Sequence, residues 1–296
     1  MKNRILHNGV EMPPIGMGTF PLRGEAMDKA VDSALSCGYR AFDTAYGYCN
    51  DDSLGASLQK YLGKYGLSRE NIFITTKIGD KLDNGWPSGN YFYNSTSCEC
   101  ADIRSIIQTQ IDSACHNLQT NYIDLLLLHY PYPDYYIEIW KSLESFYKKG
   151  TIRAIGVSNF RERHLEQIIN RCTITPMVNQ FEHHPLNTKK SLIEYCNKLN
   201  IQIEAYSPLL MMNSKLTKSD ILAKLATKYS KSIPQIILRW DIQLGIIPIP
   251  KSGNPVRLKE NIDIFDFELT EVEVNSIDCL NENFKMLPES INCPGY

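Results

Sequence analysis

The strongest constraint on this chain is its rhythm. Eight short apolar runs, rich in leucine and β-branched residues, recur along its 296 residues, and each stops at polar or glycine-bearing positions. They close at Gly18-Thr19, Asp43, Lys77, His129, Ser158-Asn159, Asn179-Gln180, Tyr206-Ser207 and Pro250-Lys251. The stretches between them have helical character, among them 25–37, 103–118, 136–149, 189–199 and 234–243, the last with Pro234 in a first turn where its missing amide hydrogen costs nothing.

Strands that alternate with helices from start to finish are parallel strands joined by crossovers. Eight such units in one chain predict an α/β fold, a TIM-type (β/α)8 barrel, rather than a doubly wound sheet. Residues 1–296 contain no proline-, glycine- or serine-rich linker and no internal repeat, so a single barrel domain is expected. Ahead of the first unit, residues 5–12 with Asn8-Gly9 predict an N-terminal β-hairpin closing the bottom. Two connections are longer than a barrel requires. The 80–101 segment carries Trp86, Tyr91, Phe92 and Tyr93 directly after Lys77 and reads as an inserted aromatic loop at the active-site rim; 207–219 is the second long loop at the C-terminal mouth.

Charge narrows the partners. Thirty-one basic against 33 acidic side chains leave a net charge of -2, which supplies no field for nucleic acid or anionic lipid. The first 12 residues lack an apolar leader, and the longest aliphatic run, Leu125 to Leu128, is far too short to span a bilayer, so a cytoplasmic protein is expected. Nine scattered cysteines, including Cys98 and Cys100, show no paired metal-ligand spacing, and reduced packing thiols are expected. His183-His184 after Glu182 suggests a metal, but adjacent side chains on an extended segment point apart; no metal is predicted. Gly16-Met17-Gly18 is not a dinucleotide fingerprint, because Pro21 stands where the third glycine is needed.

Barrel active sites lie at the carboxyl ends of the strands, where Asp43, Lys77 and His129 fall, with Tyr48 shortly beyond Asp43. A tyrosine is a weak acid, with an unperturbed pKa of about 10, and a neighbouring ammonium stabilises its phenolate. Tyr48 is therefore the candidate proton donor, Lys77 the tuning cation, Asp43 its anchor, and His129 the group that orients a carbonyl oxygen. Taken singly each residue type has an ordinary structural use; the pattern at successive strand ends points to protonation of a developing alkoxide.

With these residues in place, the chain resembles the aldo-keto reductase superfamily over nearly its whole length, in the contexts FDTAYGY, ITTKIG and DLLLLHYP. The resemblance implies a (β/α)8 barrel that reduces carbonyls with NADPH/NADP+, and a tetrad at Asp43, Tyr48, Lys77 and His129. By the same resemblance, Ser158, Asn159 and Gln180 hold the nicotinamide carboxamide, Tyr206 stacks on its ring, and Ser207 and Leu209 follow the pyrophosphate. Gly18, Thr19 and Asp43 are also expected at the cofactor. Lys251, Ser252, Asn254 and Arg257 imply an adenosine-phosphate site preferring NADPH, with Glu260 and Asn261 at adenine.

Phe20 and Tyr130 stand where many relatives carry tryptophan, and Gly79 replaces a bulky residue, so a wider or differently walled pocket is expected from Phe20, Tyr130 and Trp86. The expected partner is a small-molecule carbonyl compound, and the expected assembly a monomer or weak homo-oligomer. The alternative is a catalytically silent NADP(H)-binding sensor or regulatory subunit of the same fold. A barrel lyase or hydrolase would need two carboxylates at the mouth, and only Asp43 is well placed among the strand ends.

Overall fold

The computed structural model describes the backbone of residues 2–83, 86–90, 100–133, 135–293 and 296, and their side chains except those of 80–83, 86–90, 100–102, 291 and 292. Eight parallel strands lie in sequence order: β1 (Met17–Gly18), β2 (Ala41–Asp43), β3 (Phe73–Ile78), β4 (Ile123–Leu128), β5 (Ile152–Ser158), β6 (Val178–Glu182), β7 (Gln202–Tyr206) and β8 (Ile247–Pro248). Every residue of β2, β3, β4 and β6 is buried. Such strands face the barrel interior on one side and helices on the other, which is why Leu125 to Leu128 carry no polar alternation.

The curled sheet closes on itself. Gly16 and Gly18 donate their amides to the carbonyls of Pro248 and Pro250, at 3.0 and 3.2 Å, and Gly18 bridges in parallel to Lys251. A Cβ on Gly18 would sit 3.0 Å from the Ile249 carbonyl, so glycine lets backbone approach backbone closely at the seam. The prediction of a (β/α)8 barrel holds, and so does the N-terminal hairpin, in which Arg4–Ile5 pairs antiparallel with Glu11–Met12.

Between the strands run α1 (Gly24–Cys37), α2 (Asp51–Tyr61), α3 (Cys100–Asn117), α4 (Tyr136–Lys148), α5 (Glu162–Arg171) and α6 (Lys190–Lys198). Two helices, Asp220–Tyr229 and Ile233–Gln243, cross from β7 to β8. The second starts with a reciprocal cap in which Ser232 and Gln235 satisfy each other's amides, Pro234 occupying its first turn as expected. Among the described residues no helix is long and apolar enough to cross a membrane.

The 80–101 segment begins differently from the open loop expected. Asp80–Asp83 and Trp86–Asn90 pair as an antiparallel hairpin, with a register shift between Lys81 and Leu82. Both of its strands approach the Tyr46–Tyr48 turn, with Cα atoms within 8 Å, so the hairpin stands over the start of the site. Tyr91, Phe92, Tyr93 and the side chain of Trp86 lie outside the described residues, as do Cys98 and the Cys100 side chain.

Candidate active site

Register assembles the site before any side chain is considered. Asp43 pairs with Thr75 on β3, and Lys77 stands two residues further along the same face, one pleat nearer the mouth. The fully buried Lys77 ammonium donates to both oxygens of Asp43, at 2.7 and 2.8 Å, and to the Thr44 carbonyl at 2.9 Å. Burial alone would drive this lysine towards its neutral form, but the charge and hydrogen bonds of Asp43 outweigh it and hold the ammonium above its ordinary range.

Tyr48 belongs to a 3-10 turn, Tyr46–Tyr48, immediately after β2. Lys77 Nζ lies 5.0 Å from the centre of the Tyr48 ring, and the His129 ring meets it edge-on at 5.9 Å. The tetrad residues thus converge at one mouth: a buried cation, its carboxylate, a phenol and an imidazole. Phe20 packs against Tyr48 with centroids 5.0 Å apart, and Tyr130 stacks on His129 at 4.8 Å, so each ring borders one member of the tetrad.

At Gly79 a neighbouring ring takes the place of a side chain. Gly79 takes a left-handed φ of 107°, and a Cβ there would fall 2.2 Å from Cε2 of the buried Tyr132. Tyr132, four residues past the strand, supplies the bulk that the glycine omits.

Next to the tetrad is a cluster of amides and hydroxyls. Asn159, held at φ 63°, receives the Tyr206 hydroxyl on its Oδ1 at 2.8 Å and donates through Nδ2 to the His129 carbonyl at 3.1 Å and to Ser158 Oγ at 3.2 Å. Ser158 donates to the Gln180 carbonyl at 3.0 Å. Gln180 Nε2 donates to Asp43 Oδ2 at 2.8 Å and to Glu204 Oε2 at 2.5 Å. Ser158, Asn159, Gln180 and Tyr206 are therefore one hydrogen-bonded body with the tetrad. Thr19 joins it, donating from amide and hydroxyl to the Asp43 carbonyl at 3.1 and 2.8 Å.

One participant, Glu204, stands outside the residues expected from sequence. Glu204 is 1 % exposed, and burial, then the charge of Asp43, pushes its carboxyl up to about 8. Its signal was a charged residue in the middle of an apolar strand run. Tyr296 donates its hydroxyl to the Asn159 carbonyl at 2.6 Å, with the Arg161 guanidinium 4.2 Å from its ring, so it reaches the mouth.

The second group of expected cofactor residues lies across the seam, beginning at Lys251 beside Gly18. Asn254 caps the helix Pro255–Ile262, its Oδ1 accepting the amides of Val256 and Arg257 at 2.9 and 3.3 Å. Ser252 Oγ accepts the Asn254 amide at 3.0 Å. Lys251 and Arg257 are exposed, no acid occupies the first helical turn, and among the described residues neither cation is ion-paired. Such a donor set suits an anion. Asn261 is buried and Glu260 half-buried on the same helix. Ser207, also left-handed at φ 51°, and Leu209 follow Tyr206 on the rim.

The paired histidines serve packing. His183 Nδ1 lies 2.8 Å from Asp241 with its ring stacked on Trp240, and His184 Nε2 lies 2.9 Å from Glu182. Glu182 also accepts the amides of Met286 and Leu287, fastening the C-terminal segment to β6.

Comparison with known proteins agrees with this geometry. The model of the Aldo/keto reductase family matches residues 14–282. The chain is 43 % identical over 288 residues to an uncharacterized oxidoreductase, YtbE, of Bacillus subtilis, covering 97 % of this chain and 95 % of that one. It is 41 % identical over 284 residues to the glyoxal reductase of the same organism, covering 96 % and 94 %. Among solved structures, the aldose reductase of Schistosoma japonicum superposes with a TM-score of 0.88 at 28 % identity, covering 100 % of this chain and 97 % of that one. A Bombyx mori aldo-keto reductase in complex with NADP superposes at 0.84 with 31 % identity, covering 100 % and 99 %. The barrel, the match across its length and these similarities establish that the chain belongs to the aldo/keto reductase family, as an NAD(P)H-dependent oxidoreductase acting on carbonyl groups.

Proposed function

We propose that this protein is an NADPH-dependent reductase of small aldehydes and ketones, in which Tyr48 protonates the carbonyl oxygen. The observation that carries the proposal is the buried Lys77 ammonium, clamped by Asp43 and held 5.0 Å from the Tyr48 ring. When bound, the cofactor supplies hydride from its nicotinamide. The chain supplies the rest. Lys77 lowers the cost of a phenolate at Tyr48 as the proton leaves, Asp43 keeps the lysine charged and in place, and His129 offers a ring nitrogen to orient the oxygen. Oxidation of the alcohol runs through the same groups in reverse.

The donor set fits the cofactor. Ser158, Asn159 and Gln180 offer the neutral donors and acceptors a carboxamide needs, Tyr206 an aromatic face, and Lys251 with Arg257 charge for a 2′-phosphate. Gly18, Thr19, Ser207, Leu209, Ser252, Asn254, Glu260 and Asn261 complete the proposed cofactor contacts. Phe20, Tyr130 and Trp86 are the proposed pocket wall, with the hairpin after Lys77 positioned to serve as a lid. The cytosol is the proposed compartment, consistent with seven described cysteines that are all free thiols; a monomer suffices, since one barrel contributes every residue.

For substrate, we favour glyoxal and methylglyoxal. One relative at 41 % identity is named a glyoxal reductase and another, from Escherichia coli at 34 %, a methylglyoxal reductase. The test is loss of NADPH absorbance with these dicarbonyls beside an aromatic aldehyde and an aldose. Turnover fastest with the dicarbonyls supports the proposal. Binding of NADPH with no turnover across the panel would instead favour a silent sensor subunit.

A further inference from the structure

Glu204 has no part in the proton transfer just described, yet it is a fully enclosed carboxyl in direct contact with a cofactor-facing side chain. On β6 and β7, Gln180 and Glu204 are register partners, so their side chains leave the sheet on the same face. An amide such as Gln180 carries two hydrogens and one acceptor oxygen. One hydrogen goes to Asp43 Oδ2 at 2.8 Å and the other to Glu204 Oε2 at 2.5 Å. The Asp43 carboxylate, paired with Lys77, can only accept, so the nitrogen faces inward, and acceptance of the second hydrogen by Glu204 Oε2 leaves Oε1 to meet a donor from a ligand. Asp43 alone would engage one hydrogen and leave the amide free to swing about that bond.

We infer that Glu204 is a positioning residue that locks the Gln180 amide with its oxygen presented to the amide hydrogens of the cofactor's carboxamide. The inference rests on the assignment of Gln180 to the nicotinamide end. It requires from Glu204 an acceptor at that spot rather than a negative charge, since a protonated carboxyl or an amide oxygen accepts the same bond. Enclosure of two carboxyls around one lysine, Asp43 and Glu204 with Lys77, is relieved if Glu204 stays neutral, and burial pushes it that way.

The test compares binding of NADP+ with binding of 2′-phospho-ADP-ribose, which lacks the nicotinamide, by calorimetry on wild type, Glu204→Gln and Glu204→Met. The expected result is that E204M weakens NADP+ by about fivefold to tenfold, as loss of one ordering hydrogen bond implies, and leaves the fragment unchanged. E204Q, with an amide oxygen in the same place, should lie within about twofold of wild type for both ligands. If E204M does not fold, Glu204→Asp replaces it, keeping the carboxyl but withdrawing it from Gln180. Equal weakening of both ligands, no weakening of either, or E204Q as poor as E204M would each overturn the positioning role. Wild type that binds the fragment but gains nothing from the nicotinamide would overturn the assignment of Gln180 itself, and the inference with it.

Discussion

Replacing Lys77 with methionine removes one charge from a sealed cluster and leaves the volume nearly unchanged. Lys77 is 0 % exposed and its side chain makes three hydrogen bonds, two to Asp43 and one to the Thr44 carbonyl. Methionine fills the same space, so little of the cost is a cavity. The cost is the Asp43 carboxylate, left buried with Gln180 Nε2 as its remaining side-chain donor. Stripping one partner from a buried ion pair costs about 3–5 kcal/mol. Removing the abandoned charge as well should recover much of that, because the double variant Asp43→Asn/Lys77→Met carries a neutral amide there, with no charge to desolvate. The assay is urea unfolding at neutral pH followed by circular dichroism and tryptophan fluorescence, with coincident transitions required before energies are compared. A K77M loss below about 1 kcal/mol, or a double variant less stable than K77M, would refute the buried-pair reasoning.

Three further outcomes are expected. Glu204 is raised from 4.5 to about 8 in the fold, so its contribution to stability is fully present below about pH 4.5 and is lost as pH rises through about 8; the stability gap between wild type and E204Q should narrow or reverse by a few kcal/mol over that window, and a pH-independent gap would contradict the burial of an ionisable group there. Gly79→Ala forces a Cβ into a φ of 107° and against the Tyr132 ring, so it should cost about 1–3 kcal/mol in thermal unfolding, and an unchanged melting temperature would show that the ring moves freely. Lys251→Ala/Arg257→Ala should weaken NADP+ at least about tenfold more than NAD+ and flatten the salt dependence of NADP+ binding; equal losses for both cofactors would remove these cations from the 2′-phosphate.

Much of this architecture was legible because barrel strands announce themselves. Runs such as Leu125 to Leu128 are apolar on both faces, and a residue like Asp43 or His129 at the end of such a run can only be at the mouth. What periodicity could not supply were contacts between distant strands. Glu204 shows in sequence only as a charge within an apolar run, and only register beside Gln180 reveals its buried partner. Asp124 is a similar case at the other end of β4, fully buried between Arg69 and Arg153 at 2.7 and 2.6 Å. Gly79 left a wider and a differently walled pocket both open, and sequence could not tell that its left-handed backbone lies under Tyr132. The hairpin strands after Lys77 were not legible, because the aromatics and glycines of that segment lack strand alternation. Sequence allowed Tyr296 to reach the pocket but could not name its partner, because Asn159 lies 137 residues away.

The most direct measurement is NADPH-dependent reduction of methylglyoxal by wild type and Tyr48→Phe at equal concentrations, with NADP+ affinity determined for both. The phenylalanine keeps the ring that packs on Phe20 and His129 and removes only the hydroxyl. If Tyr48 is the proton donor, kcat should fall by about a hundredfold or more while NADP+ affinity stays within about twofold. A variant that retains more than about a tenth of wild-type turnover would place the proton donor elsewhere.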